Sequence, residues 1–435
     1  MRPGCVVFEN GCVTDVEEFH WQPAGADLHD FSELIVMPGL IDSHIHINEP
    51  GRTEWEGFAT ATRAAAAGGY TCLIDMPLNS VPATTNVGAL EAKRAAADGR
   101  AVVDYAFWGG TVQGNAGDLR SLARAGVRGF KAFLVHPGIE EFSMVGETDL
   151  REAMPIIANT GLPLLVHAEV PRPVEAAERL LLGEGADWSR YVNYLRSRPD
   201  QAERDAVHLL IELCREYRCH VHIVHLATAQ AVAELTAARE EGLPITVETC
   251  PHYLYFAAES VPDGATMFKC APPIRRAANR ELLWQALGSR SIDLIATDHS
   301  PCPPEMKGLK EGNFRTAWGG IGSVSVALPA VWTGASARGF EVRDVVRWMS
   351  EQPAQLAGLQ SCKGKIALGY DADFAVFDPA IEWTVTPESL HFRHPISPYL
   401  GQRLKGEVAA TFVRGVCVFR EGAFIGEVYG RECPV

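Results

Sequence analysis

Six residues of this chain have the types needed to hold divalent cations, and each falls at or near the end of a short apolar run. His44 and His46 close the stretch 34–48, LIVMPGLIDSHIHIN. Side chains i and i+2 of a strand share a face, so two imidazoles leave this run on one side and form half of a metal clamp. The other half is available at four later runs: Lys131 in VRGFKAFL, His167 in LPLLVHAE, His225 in VHIVHLA and Asp298 in IDLIATDHS. Nitrogen and carboxylate ligands suit zinc and related divalent ions.

Taken one at a time, these residues have plainer readings. A single histidine in an apolar run is more often a hydrogen-bonded core residue than a ligand. His220 and His222 alternate with His225, and spacing alone leaves His222 a rival; His225 is preferred as the one nearest the strand end. Lys131 by itself reads as a snorkelling surface lysine. Beside two divalent cations, however, an ammonium is repelled, and burial with positive neighbours lowers its pKa to give a neutral amine. A neutral amine can add carbon dioxide. The carbamate so formed is an anionic, two-oxygen group that can bridge two metals. Set against two dications, the carbamate, Asp298 and a hydroxide leave positive charge to polarise a carbonyl.

To bring five strand ends to one place, the chain needs strands lying side by side and running the same way. After residue 41 an apolar run, a polar loop, a helical stretch and a glycine recur, the pattern of βα units and a parallel sheet. The runs predict eight strands, ending near His46, Met76, Trp108, Phe133, His167, His225, Thr249 and Asp298. Helical composition fills 55–67, 85–97, 149–158, 201–217 and 229–241, with Gly68, Gly99, Gly161 and Gly242 as stops. Eight such units with chemistry at the strand C-termini describe a (β/α)8 TIM-like barrel, an α/β fold. A doubly wound sheet is the alternative, and it would spread the ligands along a crevice. From about residue 364 the pattern turns to short β runs, 364–368, 374–377, 408–413 and 416–419. These predict a small β domain, to which the early runs 5–8 and 11–13 can be added.

The 435 residues suffice for one large barrel and a smaller domain. Apolar residues are 47% and charged residues 21%, ordinary globular values. No run of about eighteen apolar residues is present to span a bilayer. A net charge of −15 argues against a nucleic-acid footprint, which needs a basic face. The opening residues have the wrong pattern for a secretory signal, and eleven cysteines without a CxxC pair predict reduced thiols, so the expected location is cytoplasmic.

The set His44, His46, Lys131, His167, His225 and Asp298 resembles the binuclear centre of the cyclic amidohydrolases, the family of dihydroorotase, hydantoinase and allantoinase. The strings HINEPGRTEWEGF (46–58), MPLNSVPATT (76–85), VETCPHYL (247–254), FKCAPPIR (268–275), DHSPC (298–302), AWGGI (317–321) and HPISPYLG (394–401) are similar to its allantoinase branch, and the resemblance covers nearly the whole chain.

The resemblance implies a metal-dependent barrel over 38–361 and a small β-sandwich built from both termini, 1–37 and 362–435. It implies two divalent ions, zinc first with manganese, cobalt or iron also accepted, bridged by N6-carboxylated Lys131. His44 and His46 would bind one ion with Asp298, and His167 and His225 the other. The implied reaction is hydrolysis of the hydantoin ring of allantoin to allantoate by a hydroxide held between the metals, with Asp298 as base and then acid. Dihydroorotase usually carries an arginine where Asn48 stands here, to meet a substrate carboxylate. A neutral amide suits a neutral ring and a ureido group better, although Asn48 also fits a turn before Pro50 and Gly51. Ser300 resembles a substrate-contact position and Asn79 is a weaker one; a turn hydroxyl and a loop cap are their plainer readings. The implied partners are the small-molecule substrate and further copies of the chain in a homotetramer, with no nucleic acid and no membrane. The rival activities are a hydantoinase or dihydropyrimidinase acting on related cyclic amides, and a metal-free structural relative. The presence of all six ligand types argues against the last.

Overall fold

The computed structural model describes residues 3–19, 25–426 and 428–434. The apolar runs become parallel strands: β1 Leu40–Ile45, β2 Tyr70–Asp75, β3 Asp104–Phe107, β4 Phe130–Phe133, β5 Leu164–His167, β6 Val221–Ile223, β7 Ile245–Thr249 and β8 Leu294–Ile295. They are buried almost throughout, as expected where helices cover one face of a sheet and its own interior fills the other. Pairing runs β1–β2–β3 and β4–β5–β6–β7–β8. The third strand breaks at Trp108, whose Nε1 donates to Ser43 O at 2.8 Å, and resumes at Gly109–Gly110 beside β4. A parallel bridge between Ile45 and His299 closes the ring, with His46 N donating to His299 O at 2.9 Å. The sheet is therefore a closed (β/α)8 barrel, and every strand delivers its C-terminus to one face.

The helices follow local signals. Val87–Ala97 starts at Asn86, whose side chain accepts from Ala89 N at 3.0 Å, and ends before Gly99 at φ 67°. Phe58–Ala67 ends at the expected Gly68, its C-cap, but Gly68 stays at φ −84° and the left-handed turn falls on the next residue, Gly69, at φ 84°. Gly68 serves close packing instead, since a methyl there would lie 2.3 Å from the Val324 carbonyl oxygen. Between β5 and β6 two extra helices, Pro171–Gly183 and Tyr191–Ser197, precede the covering helix Asp200–Tyr217. Among the described residues no helix is long and apolar enough to cross a membrane.

Outside the barrel, Ile35–Pro38, Phe374–Thr384, Arg403–Val413, Val416–Arg420 and Ala423–Phe424 form an antiparallel sheet. A hairpin of Cys5–Glu9 and Cys12–Glu17 packs on it through Val13, Phe8, Phe374 and Phe412. The stretch 364–368, expected as a strand, is not one. Gly364 there is at φ 86°, and a methyl on it would lie 2.8 Å from Ser350 O, so the chain turns tightly over the end of a helix. Between the small sheet and the N-terminal end of β3, Lys363 Nζ donates to Asp104 Oδ2 at 2.8 Å and Asp373 Oδ2 at 2.7 Å, and Asp371 lies at 2.8 Å. The last residues run along β3, with Cys433 N donating to Tyr105 O at 2.8 Å.

Candidate metal centre

At the C-terminal face the six residues come together. His44 Nε2 and His46 Nε2, from the end of β1, each lie 3.3 Å from Oδ1 of Asp298, which follows β8. His44, His225 and Asp298 place ligand atoms within 4.8 Å of one another. His167 Nδ1, at the end of β5, stands 3.1 Å from His225 Nε2, just beyond β6. Phe133 stacks on His167 at 4.6 Å between ring centroids, and Lys131 Nζ lies 4.8 Å from the same Phe133 ring. All six residues are buried.

The loops that aim these groups use uncommon backbone. Asn48 (φ 67°), Asn79 (61°), His225 (38°) and Asp298 (46°) are all left-handed. Such conformations cost about 1–3 kcal/mol each and persist only where surrounding contacts over-determine them. Here Glu248 Oε1 accepts from His225 N at 3.1 Å, and Asp42 Oδ1 accepts at 3.1 Å from Thr297 N, one residue before Asp298.

Groups behind the histidines decide which ring nitrogen faces inward. Glu248, buried in β7, bonds His44 Nδ1 and accepts from His222 Nε2 at 3.0 Å. Burial pushes its carboxyl up, but His44 and His222 outweigh burial and hold it down at about 2. A carboxylate only accepts, so His44 Nδ1 carries the hydrogen and Nε2 turns toward Asp298. His222 therefore lies behind Glu248, with its Nδ1 2.8 Å from Thr246 Oγ1. Glu169 Oε2 accepts from His167 Nε2 at 2.8 Å and from Arg198 Nη1 at 2.5 Å. Against burial, Arg198 and His167 hold the Glu169 carboxyl at about 2, and His167 offers Nδ1 to the centre. The Asn79 side-chain amide lies 3.3 Å from His46 Nδ1.

Two buried atoms of the centre, Lys131 Nζ and His225 Nδ1, have no hydrogen-bond partner among the described residues. Burial lowers the Lys131 amine to about 8 and lowers His44, His167 and His225 below the usual histidine range. Burial pushes Asp298 up, but His44, His46 and His225 outweigh it and keep the carboxyl ionised. Neutral nitrogens gathered around one carboxylate, with an orphaned amine, form a donor set short of positive charge. Divalent metal ions fit it.

Residues 35–418 match the amidohydrolase family. The chain belongs to the amidohydrolase family. It is 47% identical to an allantoinase of Streptomyces avermitilis, with 99% of this chain and 96% of that protein covered, and 44% identical to an allantoinase of Arabidopsis thaliana, with 98% and 87% covered. Among solved structures it is similar to the L-hydantoinase (dihydropyrimidinase) of Arthrobacter aurescens, with a TM-score of 0.91, 28% identity, and 98% and 95% of the two chains covered.

In this amidohydrolase the three residues expected to touch substrate sit beside the centre. Ser300 Oγ donates to Asp298 Oδ1 at 3.2 Å, and Asn79 adjoins His46. Asn48 Nδ2 donates to Pro301 O at 3.4 Å while its buried Oδ1 has no hydrogen-bond partner among the described residues. Its carbonyl also accepts from Arg52 N at 3.1 Å, so the turn role holds as well. Gly320 serves close packing against Ser300: a methyl on it would lie 2.5 Å from Ser300 O. Burial raises the Cys270 thiol to about 12, which leaves it no nucleophilic role. Sequence reasoning passed over Glu169, Glu248 and Arg198. A signal for the two acids was present, since LVHAE and TVETC each carry a carboxylate at a run otherwise too apolar to leave one unpaired.

Proposed function

We propose that this chain hydrolyses the hydantoin ring amide of allantoin to allantoate at the centre described. The observation that carries the substrate is the near full-length 47% identity to an allantoinase, against 28% to a hydantoinase of the same fold. His44 and His46 with Asp298 would hold one divalent ion and His167 with His225 the second, with Lys131 shared between them as its N6-carboxylate. When bound, the ions supply Lewis acidity and lower the pKa of water. Asp298 takes the proton of the attacking water and passes it to the ring nitrogen. The carbon–nitrogen bond then breaks with that nitrogen protonated and the carbonyl carbon left as a carboxylic acid, which loses its remaining proton to solvent to give the carboxylate. Ser300 orients Asp298 through its hydroxyl, and the Asn48 amide suits the neutral ureido group.

Carboxylation of Lys131 is supported by its orphaned, burial-depressed amine, and zinc by the nitrogen and oxygen ligands. A homotetramer rests on the family resemblance, and a cytoplasmic location on cysteines that are all free. The same proposal takes 38–361 as the barrel and 1–37 with 362–435 as the small β domain. Turnover of allantoin, hydantoin, dihydrouracil and dihydroorotate by protein of measured metal content tests it. Allantoin should be preferred; negligible allantoin hydrolysis beside turnover of hydantoin or dihydrouracil gives the site to the hydantoinase reading. Protein without metal that stays inactive after zinc, manganese or cobalt is added with bicarbonate overturns both.

A further inference from the structure

We infer that Glu248 and Glu169 are positioning residues that make the two metal positions unequal, so that the ion at His167 and His225 is the first to leave. The inference rests on the two-ion reading above. Each glutamate is fully buried and meets the ring of one inward-facing histidine, Glu248 behind His44 and Glu169 behind His167; Glu248 also accepts from the His225 backbone N–H at 3.1 Å, a bond that the carbonyl of a glutamine keeps. A carboxylate that takes the outer N–H of an imidazole fixes its tautomer, locks the ring and makes the inner nitrogen a stronger donor.

The two carboxylates differ in what they meet on their other side. Glu248 shares its charge with His222, an imidazole whose Nδ1 is itself bonded to Thr246. Glu169 shares its charge with a guanidinium, Arg198 Nη1, on the same oxygen that meets His167. A guanidinium draws more strongly on a carboxylate than an imidazole does, so Glu169 has less negative charge left for His167. The second histidine of each pair adds to the contrast. His46 Nδ1 adjoins the Asn79 amide, whereas His225 Nδ1 has no partner among the described residues. The position at His167 and His225 thus combines a weakened donor with an unsupported one. Arg198 follows the helix Tyr191–Ser197, and its carbonyl accepts from Arg275 Nη1 at 3.3 Å, so the backbone that carries the guanidinium is held.

Release of metal from the loaded protein into excess chromogenic chelator tests the inference without any substrate. Wild type should lose its ions in two phases, one ion in each. Glu169→Gln should accelerate only the faster phase, by about 10–100-fold. Glu248→Gln should accelerate only the slower phase, and Arg198→Met, which returns charge to Glu169, should slow the faster phase alone; acceleration of that phase in Arg198→Met overturns the inference. If Glu169→Gln does not fold, as judged by near-ultraviolet circular dichroism, Arg198→Met carries the same decision. The inference is overturned if wild type releases both ions in one phase, if both glutamate variants move the same phase, or if neither phase moves. Wild-type protein that binds fewer than two ions defeats the two-ion reading instead. A merely structural role for either glutamate would lower the thermal midpoint and leave the ratio of the two phases unchanged.

Discussion

Among the described residues two clusters have the composition of a metal site, and only one of them is built like one. His44, His225 and Asp298 gather at the C-terminal face of the barrel, and Asp104, Asp371 and Asp373 at the opposite end, each set with ligand atoms within 4.8 Å. A buried lysine accompanies both. Lys363 Nζ stands 2.7–2.8 Å from all three lower carboxylates, while Arg414 adds a second cation on Asp104. Burial pulls the Lys363 ammonium down, but Asp373 and Asp104 outweigh it and raise its pKa well above the usual lysine range. Lys131 has no hydrogen-bond partner among the described residues, and burial dominates, lowering it to about 8. Burial is common to both lysines; the partners decide. A cluster whose charges already satisfy one another holds the two domains together, whereas one left short of positive charge is available for chemistry.

The comparison breaks first at Lys131. Lys131→Ala should remove bound metal and lower turnover by on the order of 10³-fold or more, since both the ions and the Asp298 proton transfer depend on the assembled centre. Retention of metal and activity would make the upper lysine as structural as the lower one. At the other end, Lys363→Met leaves the buried Asp104 and Asp373 and the half-buried Asp371 with only Arg414 and should cost about 3–5 kcal/mol of stability, read from the denaturant midpoint. Turnover per folded molecule should stay at the wild-type value.

The two clusters should also answer pH with opposite signs. The folded pKa of Lys363 lies above its unfolded value of about 10.4. Its contribution is therefore complete below that pH and lost as pH rises through the folded value. Wild-type stability should then fall more steeply with alkali than that of Lys363→Met. The upper centre should fail toward acid, because protons compete with metal for imidazoles. His44, His167 and His225 are held below the ordinary histidine value, so the acid limb of metal binding should lie below about pH 6.5. The smallest effect is expected at Ser300→Ala, which deletes the 3.2 Å bond to Asp298. Loss of one such bond, about 0.5–1.5 kcal/mol, corresponds to a roughly 2- to 10-fold drop in kcat with little change in KM.

Much of the fold was legible because buried parallel strands leave uninterrupted apolar runs and βα loops leave glycines. The eight strand ends follow from that alone, and β1 to β8 stop within two or three residues of them. The run 364–368 misled because its apolar residues flank a tight turn at Gly364, where the close approach of Ser350 O is a tertiary fact. His222 and His225 could not be separated by spacing because the first lies within, and the second just beyond, the same short strand. What separates them is Glu248, which bonds the first by its ring and the second by its backbone N–H.

By itself the sequence determined the ligand types, the strand ends that carry them and the barrel that brings those ends to one face, since each is written in local periodicity. Tertiary structure alone decided what stands behind each of those residues. Glu248 lies 204 positions from the His44 it orients, Lys131 has no hydrogen-bond partner among the described residues, and Lys363 finds three carboxylates. A run of apolar residues records that a site is buried, but the charge that meets a buried group is set by which strands and domains the fold lays side by side.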